Sequence, residues 1–323
     1  MDGRNRKILC VLISLLAGLM LAAGPGASLA GEKFPSREIS IVVPFPPGGG
    51  VDLPTRVIAE YLRKELNVPV VVENRAEAAG VKGVMDVYRS KPDGYTLLAT
   101  LLPRIAQTEV AYKAPYKILE FTFLAAFQKQ DELLVVSKDS PYQTMNDLVN
   151  ASKKKALTCS ISSPGGLADF YARVLIKAGV NLKVVPFKGS APALMALIGG
   201  NADLNVTEES VVIEQKEKTR ILGIFADERS PRFPGVPTFK EMGYKMPVMY
   251  PLIGITGPPK LPAEVSSVLS DALAKVIKNP EVMARIEKIG TIPIYMPDQQ
   301  FRAAAESMYK AVVEHKDVFE EKK

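Results

Sequence analysis

The alternation of two kinds of segment constrains the fold of this chain more than any other feature. Short runs rich in Val, Ile, Leu and Thr alternate with longer stretches in which apolar residues recur at helical spacing, most clearly over 53–66 and 167–178. This pattern is typical of strands and helices in turn, and it predicts an α/β fold with parallel sheets flanked by helices. The predicted strands are 39–43, 70–73, 96–99, 133–136, 157–160, 184–186, 204–206, 221–225 and 252–256.

The chain has no Gly/Ser-rich or Pro-rich tether, although its length allows two medium domains. We therefore expect two lobes that are joined by strands, with crossings in the runs DELLVVSKDS (131–140) and YPLIGITGPP (250–259). Two helices, over 262–278 and 298–316, are then expected to return and cover the first lobe. The predicted boundaries are 1–30 for a signal peptide, 31–132 plus 256–323 for the first lobe, and 133–255 for the second.

The N-terminal segment has the layout of a secretory signal peptide. Three basic residues precede an apolar run over 8–23, and Ser28-Leu29-Ala30 fits a small-x-small cleavage site. A membrane anchor is the alternative, but the run is shorter than the ~20 residues that a spanning helix needs. We therefore expect a periplasmic protein that is cleaved near Ala30.

The charge balance argues against a nucleic-acid partner. The net charge is +6, and the densest basic run is Lys153-Lys154-Lys155. Scattered lysines of this kind usually form a solvated surface.

Cysteine and histidine usage excludes other classes of site. Beyond the expected cleavage position only Cys159 remains, so we expect no intramolecular disulfide. His315 is the single histidine, and the sequence has no CxxC or HExxH motif, so we expect no metal and no cofactor.

Four predicted strand-to-helix loops should gather at the carboxyl ends of strands, where open α/β sheets bind ligands. They are the first loop PFPPGGGVD (44–52), the second loop TLLPR (100–104), the third loop SISSPGGLAD (160–169) and the fourth loop at PFKGSAPALMAL (186–197). Glycines in the first loop let the backbone approach a ligand closely, and Asp52 is expected to cap the following helix.

The first loop does not fit a nucleotide site. A P-loop needs Gly-Lys-Ser/Thr, whereas Gly50 is followed here by Val51 and Asp52. The dinucleotide fingerprint also fails, because the spaced third glycine is missing. The first loop is then either a structural turn or a site for an anion other than phosphate.

Catalysis is less favoured than binding. Ser162, Ser163 and Ser190 have no histidine to activate them, and a serine–lysine pair with Lys188 matches no recognised signature. Glu208-Glu209 could act as acid and base, but a helix start explains the pair as well.

Five segments follow one another along the chain: FPSREISIVVPFPPGGGVDLPTRVIAEYLRKEL, VVVENRAEAAGVKGVMDV, KPDGYTLLAT, VVPFKGSAPALMALIGGNADL and ERSPRFPGVPTFKEMGY. In this order they resemble the extracytoplasmic solute receptors of tripartite tricarboxylate transporters, the Bug or TctC-like family. The resemblance implies a type II periplasmic binding protein fold, with two Rossmann-like lobes around a ligand cleft. It also implies an organic-acid ligand, held by backbone amides of 44–52 and 189–191, and membrane subunits of the transporter as partners. We expect a monomer.

The chain departs from the family pattern in two loops and after one strand. The third loop has Gly165 to Asp169 where the family usually has a serine and a histidine, Arg104 replaces a frequent histidine, and Thr207-Glu208 replaces a frequent aspartate. We hypothesise that Arg104 recognises a second acidic or polar group of the ligand, or that Asp169 and Glu208 select a ligand that bears a hydrogen-bond donor. The alternative is that all three are solvated loop residues. The predicted ligand-binding residues are Phe45, Pro46, Pro47, Gly48, Gly49, Asp52, Thr100, Arg104, Ser162, Ser163, Gly165, Asp169, Lys188, Gly189, Ser190, Ala191, Thr207 and Glu208.

The sequence therefore favours a periplasmic receptor that binds a small carboxylate and delivers it to a membrane transporter. An exported co-receptor for a signalling system and, less favoured, an exported enzyme acting on a small acid are the alternatives. The sequence leaves five classes of solute open: dicarboxylates, tricarboxylates, aromatic acids, amino acids and nicotinate-like acids.

Overall fold

The computed structural model describes residues 33–319, so the predicted signal peptide lies outside the described residues. The strands are β1 Ile39–Val43, β2 Val70–Asn74, β3 Thr96–Leu102, β4 Thr122–Lys129, β5 Glu132–Ser137, β6 Leu157–Ile161, β7 Leu182–Pro186, β8 Leu204–Glu208, β9 Thr219–Ile224, β10 Leu252–Gly257 and β11 Ile292–Pro297. The helices are α1 Asp52–Leu66, α2 Val81–Tyr88, α3 Arg104–Ala111, α4 Met145–Ser152, α5 Leu167–Lys177, α6 Ser190–Ile198, α7 Glu209–Ile213, α8 Ala263–Ile277, α9 Pro280–Lys288, α10 Asp298–Glu314 and α11 Lys316–Phe319. Short 3₁₀ turns lie at Glu77–Gly80, Ile118–Glu120 and Lys216–Lys218.

The strands form two mixed sheets. The first sheet has the order β11-β4-β10-β3-β1-β2, and the second has the order β7-β6-β8-β5-β9. Strands β1, β2 and β3 run parallel, as do β6, β7 and β8, whereas β4, β10 and β11 pair antiparallel in the first sheet and β5 pairs antiparallel with β8 and β9 in the second. The prediction of parallel sheets was therefore wrong for the strands next to the crossings. An antiparallel neighbour needs no helical crossover, so strands that enter or leave a sheet directly can pair in this way.

The chain passes between the two sheets where the sequence suggested. Strand β4 of the first sheet ends at Lys129, and β5 of the second sheet begins at Glu132. The later run 250–259 holds β10, which returns to the first sheet. The lobe boundaries themselves stay a prediction.

The sequence-based prediction missed strands β4 and β11 of the first sheet and helix α9. Strand β4 is buried along almost its whole length, so its sequence TFLAAFQK lacks the polar alternation of a half-buried strand. Strand β11 contains Pro293 and Pro297, which are tolerated because it is the edge of the sheet. Helix α9 lies between the two helices that were expected after the second crossing.

The C-terminal helices contact both lobes rather than the first alone. Phe301 of α10 packs edge-on against Phe123 of β4, with ring centroids 4.9 Å apart. Farther along, the His315 ring packs against Phe170 of α5 and its Nδ1 lies 3.0 Å from the Ala311 carbonyl oxygen. The single histidine is thus a packing residue at the end of a helix, half-buried rather than fully solvated.

Candidate functional site

A cleft of about 720 Å³ lies between the two sheets. Residues of β4 and β10 line it from the first sheet, and residues of β5 and β8 line it from the second. The first, second and third loops each contribute to its walls. The carboxyl ends of β1, β3 and β6 therefore lead into one space, as ligand sites of open α/β sheets do.

The first wall is the glycine-rich first loop and the N-terminus of α1. Gly49, Gly50 and Val51 line the cleft. Within residues 33–319, the N–H groups of Gly50 and Val51 donate to no protein acceptor. Unpaired amides at a helix N-terminus attract anions, because the helix dipole places partial positive charge there.

Asp52 holds the first loop in place. It is 1% exposed, and its Oδ2 accepts hydrogen bonds from the Gly48 N–H (2.8 Å) and from Arg56 Nε (3.0 Å). Asn74 Nδ2 donates to Asp52 Oδ1 (2.9 Å) and to the Phe45 carbonyl (3.1 Å), which fixes the start of the same loop. Burial raises the pKa of Asp52, but the hydrogen bonds from Arg56, Gly48 and Asn74 outweigh it, so the net shift is downward and the carboxylate is ionised at neutral pH.

The expectation that Asp52 caps α1 was wrong in its detail. The N-cap is Val51, and no side chain caps this end of the helix. Asp52 is the first helical residue, so its carboxylate turns back to the Gly48 N–H instead of reaching forward to the helix amides.

The second wall repeats this arrangement in the other lobe. Asp169 is 2% exposed and accepts from the Gly165 N–H (2.8 Å at Oδ2) and from Arg173 Nε (2.8 Å at Oδ1). Leu167 and Ala168, at the start of α5, line the cleft, and their N–H groups also lack a protein acceptor in the part of the chain that the structure describes. Two helix N-termini, one from each lobe, therefore face the same space.

Each buried aspartate, with the loop N–H and the arginine that donate to it, forms a brace, and the two braces share a sequence spacing. Glycine, aspartate and arginine follow one another at intervals of four residues at Gly48, Asp52 and Arg56, and this order recurs in the third loop and α5. Sequence reasoning considered the two loops separately and missed this repeat. A direct comparison of the loops would have found it.

The structure brings only some of the predicted residues to the cleft. Those that line it are Phe45, Pro46, Gly49, Arg104, Ser162, Ser163 and Glu208. Those that lie in or beside the lining loops but do not line the cleft are Pro47, Gly48, Asp52, Gly165 and Asp169. Thr100 and Thr207 are fully buried within the sheets, where Thr100 Oγ1 lies 2.8 Å from Thr256 Oγ1 and Thr207 Oγ1 donates to Glu208 Oε2 at 3.3 Å.

The fourth loop does not reach the cleft lining. The N–H of Gly189 donates to the Ser162 carbonyl (3.0 Å), which ties this loop to the third loop. Among the described residues, the second helix N-terminus that lines the cleft is that of α5. Ligand contact by Lys188, Gly189, Ser190 and Ala191 stays a prediction.

Sequence reasoning missed several polar residues in the cleft, and three of them are almost completely buried. Gln107, Gln128 and Glu132 line the cleft and are each 2% exposed. Among the described residues, Gln107 Nε2, Gln128 Oε1 and Glu132 Oε2 have no hydrogen-bond partner. Burial raises the pKa of Glu132 well above its ordinary value, and the nearby Glu208 and Asp131 raise it further. The only local signal was a charged residue at the start of an otherwise apolar strand.

The structure places Glu209 at the first position of α7, so the interpretation of Glu208-Glu209 as a helix start is confirmed. Glu209 is fully buried, and its Oε2 accepts a hydrogen bond from Ser230 Oγ (2.9 Å). Burial raises the pKa of Glu209 to about 7, against the opposing effect of the Ser230 hydrogen bond. Asp131 raises this pKa, whereas Arg232 and Lys129 lower it.

Replacing Glu209 with glutamine is expected to stabilise the protein at about pH 8 and to leave its stability unchanged at about pH 4. The folded-state pKa lies above the unfolded value of about 4.3, so protonation favours the folded state. That contribution is complete below about pH 4 and is lost as the pH rises through about 7. The expected gain for Glu209→Gln at about pH 8 is roughly 3 kcal/mol.

Urea unfolding of both proteins between about pH 4 and 8 measures this gain. Glu217→Gln, at an exposed position of the same lobe, is the control and should show no such trend. A difference between wild type and Glu209→Gln that does not grow with pH contradicts the prediction.

Residues 33–319 contain neither a helix suited to a membrane nor a cluster suited to a metal. No helix there combines the length and the apolar character needed to cross a bilayer. No cluster of three or more His, Cys, Asp or Glu residues there could hold a metal ion.

Comparison with known protein families and sequences gives consistent matches. A family model described as the tripartite tricarboxylate transporter family receptor, TctC, matches residues 55–316. The chain is 33% identical over 308 residues to a protein from the gbd 5′ region of Cupriavidus necator, covering 92% of this chain and 93% of that protein. It is 29% identical over 297 residues to BugT of Bordetella pertussis, covering 89% of this chain and 91% of BugT.

Solved structures share the fold. A TctC solute binding protein from Polaromonas superposes with a TM-score of 0.79 at 26% identity, covering 87% of this chain and 99% of that chain. MatC from Rhodopseudomonas palustris, whose structure holds bound malate, gives a TM-score of 0.64 at 25% identity, covering 89% of this chain and 100% of MatC. The predicted α/β fold with two lobes is thereby confirmed.

Proposed function

Because this chain belongs to the tripartite tricarboxylate transporter receptor family, the TctC or Bug family, we propose that it is a periplasmic receptor that binds a small organic acid in the cleft and delivers it to membrane subunits of such a transporter. The observation that carries the proposal is the pair of braced helix N-termini that face the cleft from the two lobes. Amides that donate to no protein group are available for a ligand acceptor on both walls.

The chemistry of these walls suits a carboxylate. Free amides at the start of α1 and α5 can donate to carboxylate oxygens, and each helix dipole adds partial positive charge at the same place. The two braced aspartates do not oppose this, because Arg56 and Arg173 pair with them. Arg104 also lines the cleft, and its guanidinium can pair with a second acidic group. MatC, with malate, is a relative that holds a small carboxylate.

The two-lobe arrangement supports capture of the solute between lobes. The chain links the sheets through Gln130 and Asp131 and again between β9 and β10. A ligand that bridges the two helix N-termini favours the closed arrangement over the open one, since only closure brings both sets of amides to it.

We propose no catalytic role for the cleft serines. Ser162 and Ser163 line the cleft, whereas His315 packs against Phe170 at the C-terminal end of α10. His315 does not line the cleft, so the site offers neither hydroxyl an imidazole base there.

A thermal-shift screen of the purified protein against organic acids tests the proposal. A ligand at a hundred times its dissociation constant should stabilise the folded protein by about 2.7 kcal/mol, because it binds the folded state alone. We expect at least one small carboxylate to raise the melting temperature. Its amide analogue, for example succinamide beside succinate, is the matched control and should not raise it.

The opposite pattern would contradict the proposal. If neutral or cationic solutes raised the melting temperature and no carboxylate did, the amide site would not be the binding site.

A further inference from the structure

Two glutamates form a pair across the second sheet inside the cleft. Glu132 of β5 lies directly opposite Glu208 of β8 in the antiparallel register. Residues that are directly opposite in such a pair point to the same face, with Cβ atoms about 5 Å apart. Both glutamates line the cleft, so two carboxyl groups lie side by side along its wall.

The carboxyl group of Glu132 has an unused acceptor. Glu132 is 2% exposed, and its Oε2 has no hydrogen-bond partner in the described chain. A buried polar atom without a partner destabilises the fold unless a ligand or water satisfies it. Gln128, which reaches the cleft from the first sheet, likewise leaves Oε1 without a partner. Unused acceptors from two sheets therefore converge on one space.

The protein supplies no cation to this glutamate pair. Neither Glu132 nor Glu208 forms an ion pair within residues 33–319. The nearby Lys129 is engaged, with its Nζ 3.1 Å from Asp131 Oδ1 and 4.5 Å from the centre of the Tyr250 ring. Two adjacent carboxyl groups without a cation repel one another when both are ionised, and a donor placed between them removes that repulsion.

We infer that Glu132 and Glu208, with Gln128, form a subsite for a hydrogen-bond donor on the solute, so that the preferred ligand is an amino-substituted carboxylic acid. An ammonium group has three hydrogen-bond donors, which match acceptors on Gln128, Glu132 and Glu208. Its positive charge matches the two carboxyl groups. The inference rests on the proposed function, because the carboxylate of the same ligand is assigned to the amides of α1 and α5. Glu132 and Glu208 are then the residues that determine specificity.

Isothermal titration calorimetry with matched acids tests this inference on the purified protein. The probes are succinate and L-aspartate, glutarate and L-glutamate, and butyrate and L-2-aminobutyrate, which differ within each pair by one ammonium group. Butylamine, which has no carboxylate, completes the set. In at least one pair the amino acid should bind about tenfold tighter than the plain acid, equivalent to about 1.4 kcal/mol.

Variants show whether the two glutamates cause this preference. Glu132→Gln and Glu208→Gln keep the size of the side chain, and together they should reduce the preference for the amino acid to about one. Glu217→Gln, exposed and remote from the cleft lining, should keep it. If Glu132→Gln fails to fold, as judged by its thermal unfolding, Glu208→Gln at the more exposed position gives the same test.

The outcomes separate this inference from the proposed function. Plain acids that bind as tightly as the amino acids, or an unchanged preference in the double variant, would overturn the donor subsite and leave the carboxylate receptor intact. Binding of butylamine without binding of any acid would support the donor subsite and overturn the proposed function. Failure of every probe to bind would overturn the donor subsite, while the thermal-shift screen with its wider set of acids decides the proposed function.

Discussion

Replacing Asp52 with alanine is expected to weaken ligand binding at least a hundredfold and to destabilise the fold by about 3 kcal/mol. The carboxylate satisfies the Gly48 N–H, Arg56 and Asn74 at once, and it is almost completely buried. Removing one member of a buried charged network leaves the other members unpaired, which costs about 3 to 5 kcal/mol. The first loop would then lose the bond that holds it at Gly48, and the amides of Gly50 and Val51 would no longer be fixed toward the cleft.

Titration calorimetry with the best carboxylate and urea unfolding measure these two effects. Glu60→Ala on the same helix is the matched control, because its ion pair with Arg285 is exposed and such pairs contribute about 0 to 1 kcal/mol. Asp169→Ala, which removes the corresponding brace from the third loop, should resemble Asp52→Ala. Binding by Asp52→Ala with wild-type affinity would show that the brace does not position the site.

The pH dependence of this effect has a defined sign. The folded-state pKa of Asp52 is lowered, so its contribution to stability is present above the unfolded value of about 3.9 and is lost as the pH falls through the folded value. The stability difference between wild type and Asp52→Ala should therefore shrink in acid below about pH 4.

Local sequence signals predicted strands and helices whose ends are marked by a nearby loop or by the end of an apolar stripe. Strand β1 has the predicted bounds, because an apolar run ends there at a proline- and glycine-rich loop. Helices α1 and α5 also lie close to their predicted limits, since their apolar stripes end at Asn67 and Gly179. The interpretation of the first loop as an anion site, which stays a prediction, also used only local signals, namely its glycines and the start of the following helix.

Features that depend on pairing between distant segments escaped sequence reasoning. The opposition of Glu132 and Glu208 exists only because β5 pairs with β8, and nothing near either residue encodes that register. Neither loop sequence indicates that the start of α5 lines the cleft while the start of α6 does not, because this depends on how the two loops pack together. Asp52 was predicted to cap α1, but it is the first helical residue, and its carboxylate accepts from the Gly48 N–H instead.

Gly80→Ala is expected to destabilise the fold by at least 2 kcal/mol and to weaken ligand binding about tenfold or more. Gly80 has φ +87, a conformation that costs a residue with a Cβ about 1 kcal/mol. A Cβ at this position would also lie 2.4 Å from the carbonyl oxygen of Pro44, which is backbone and cannot turn aside. Pro44 begins the first loop, and the neighbouring Gly83 packs against it as well, so the added methyl group would push that loop away from the cleft.

Gly290→Ala separates the cost of the backbone conformation from the cost of the contact with Pro44. Gly290 has nearly the same φ, +85, but a Cβ there would meet nothing within 4 Å, and the residue does not line the cleft. This variant should lose only the roughly 1 kcal/mol of the backbone term and bind the carboxylate normally. Equal losses of stability in the two variants, with unchanged affinity in both, would mean that contact with Pro44 plays no part in holding the first loop. A larger loss in Gly80→Ala, together with weaker binding, would instead place Gly80 in the support of the site, because the two positions share a positive φ and only at Gly80 would a Cβ meet Pro44.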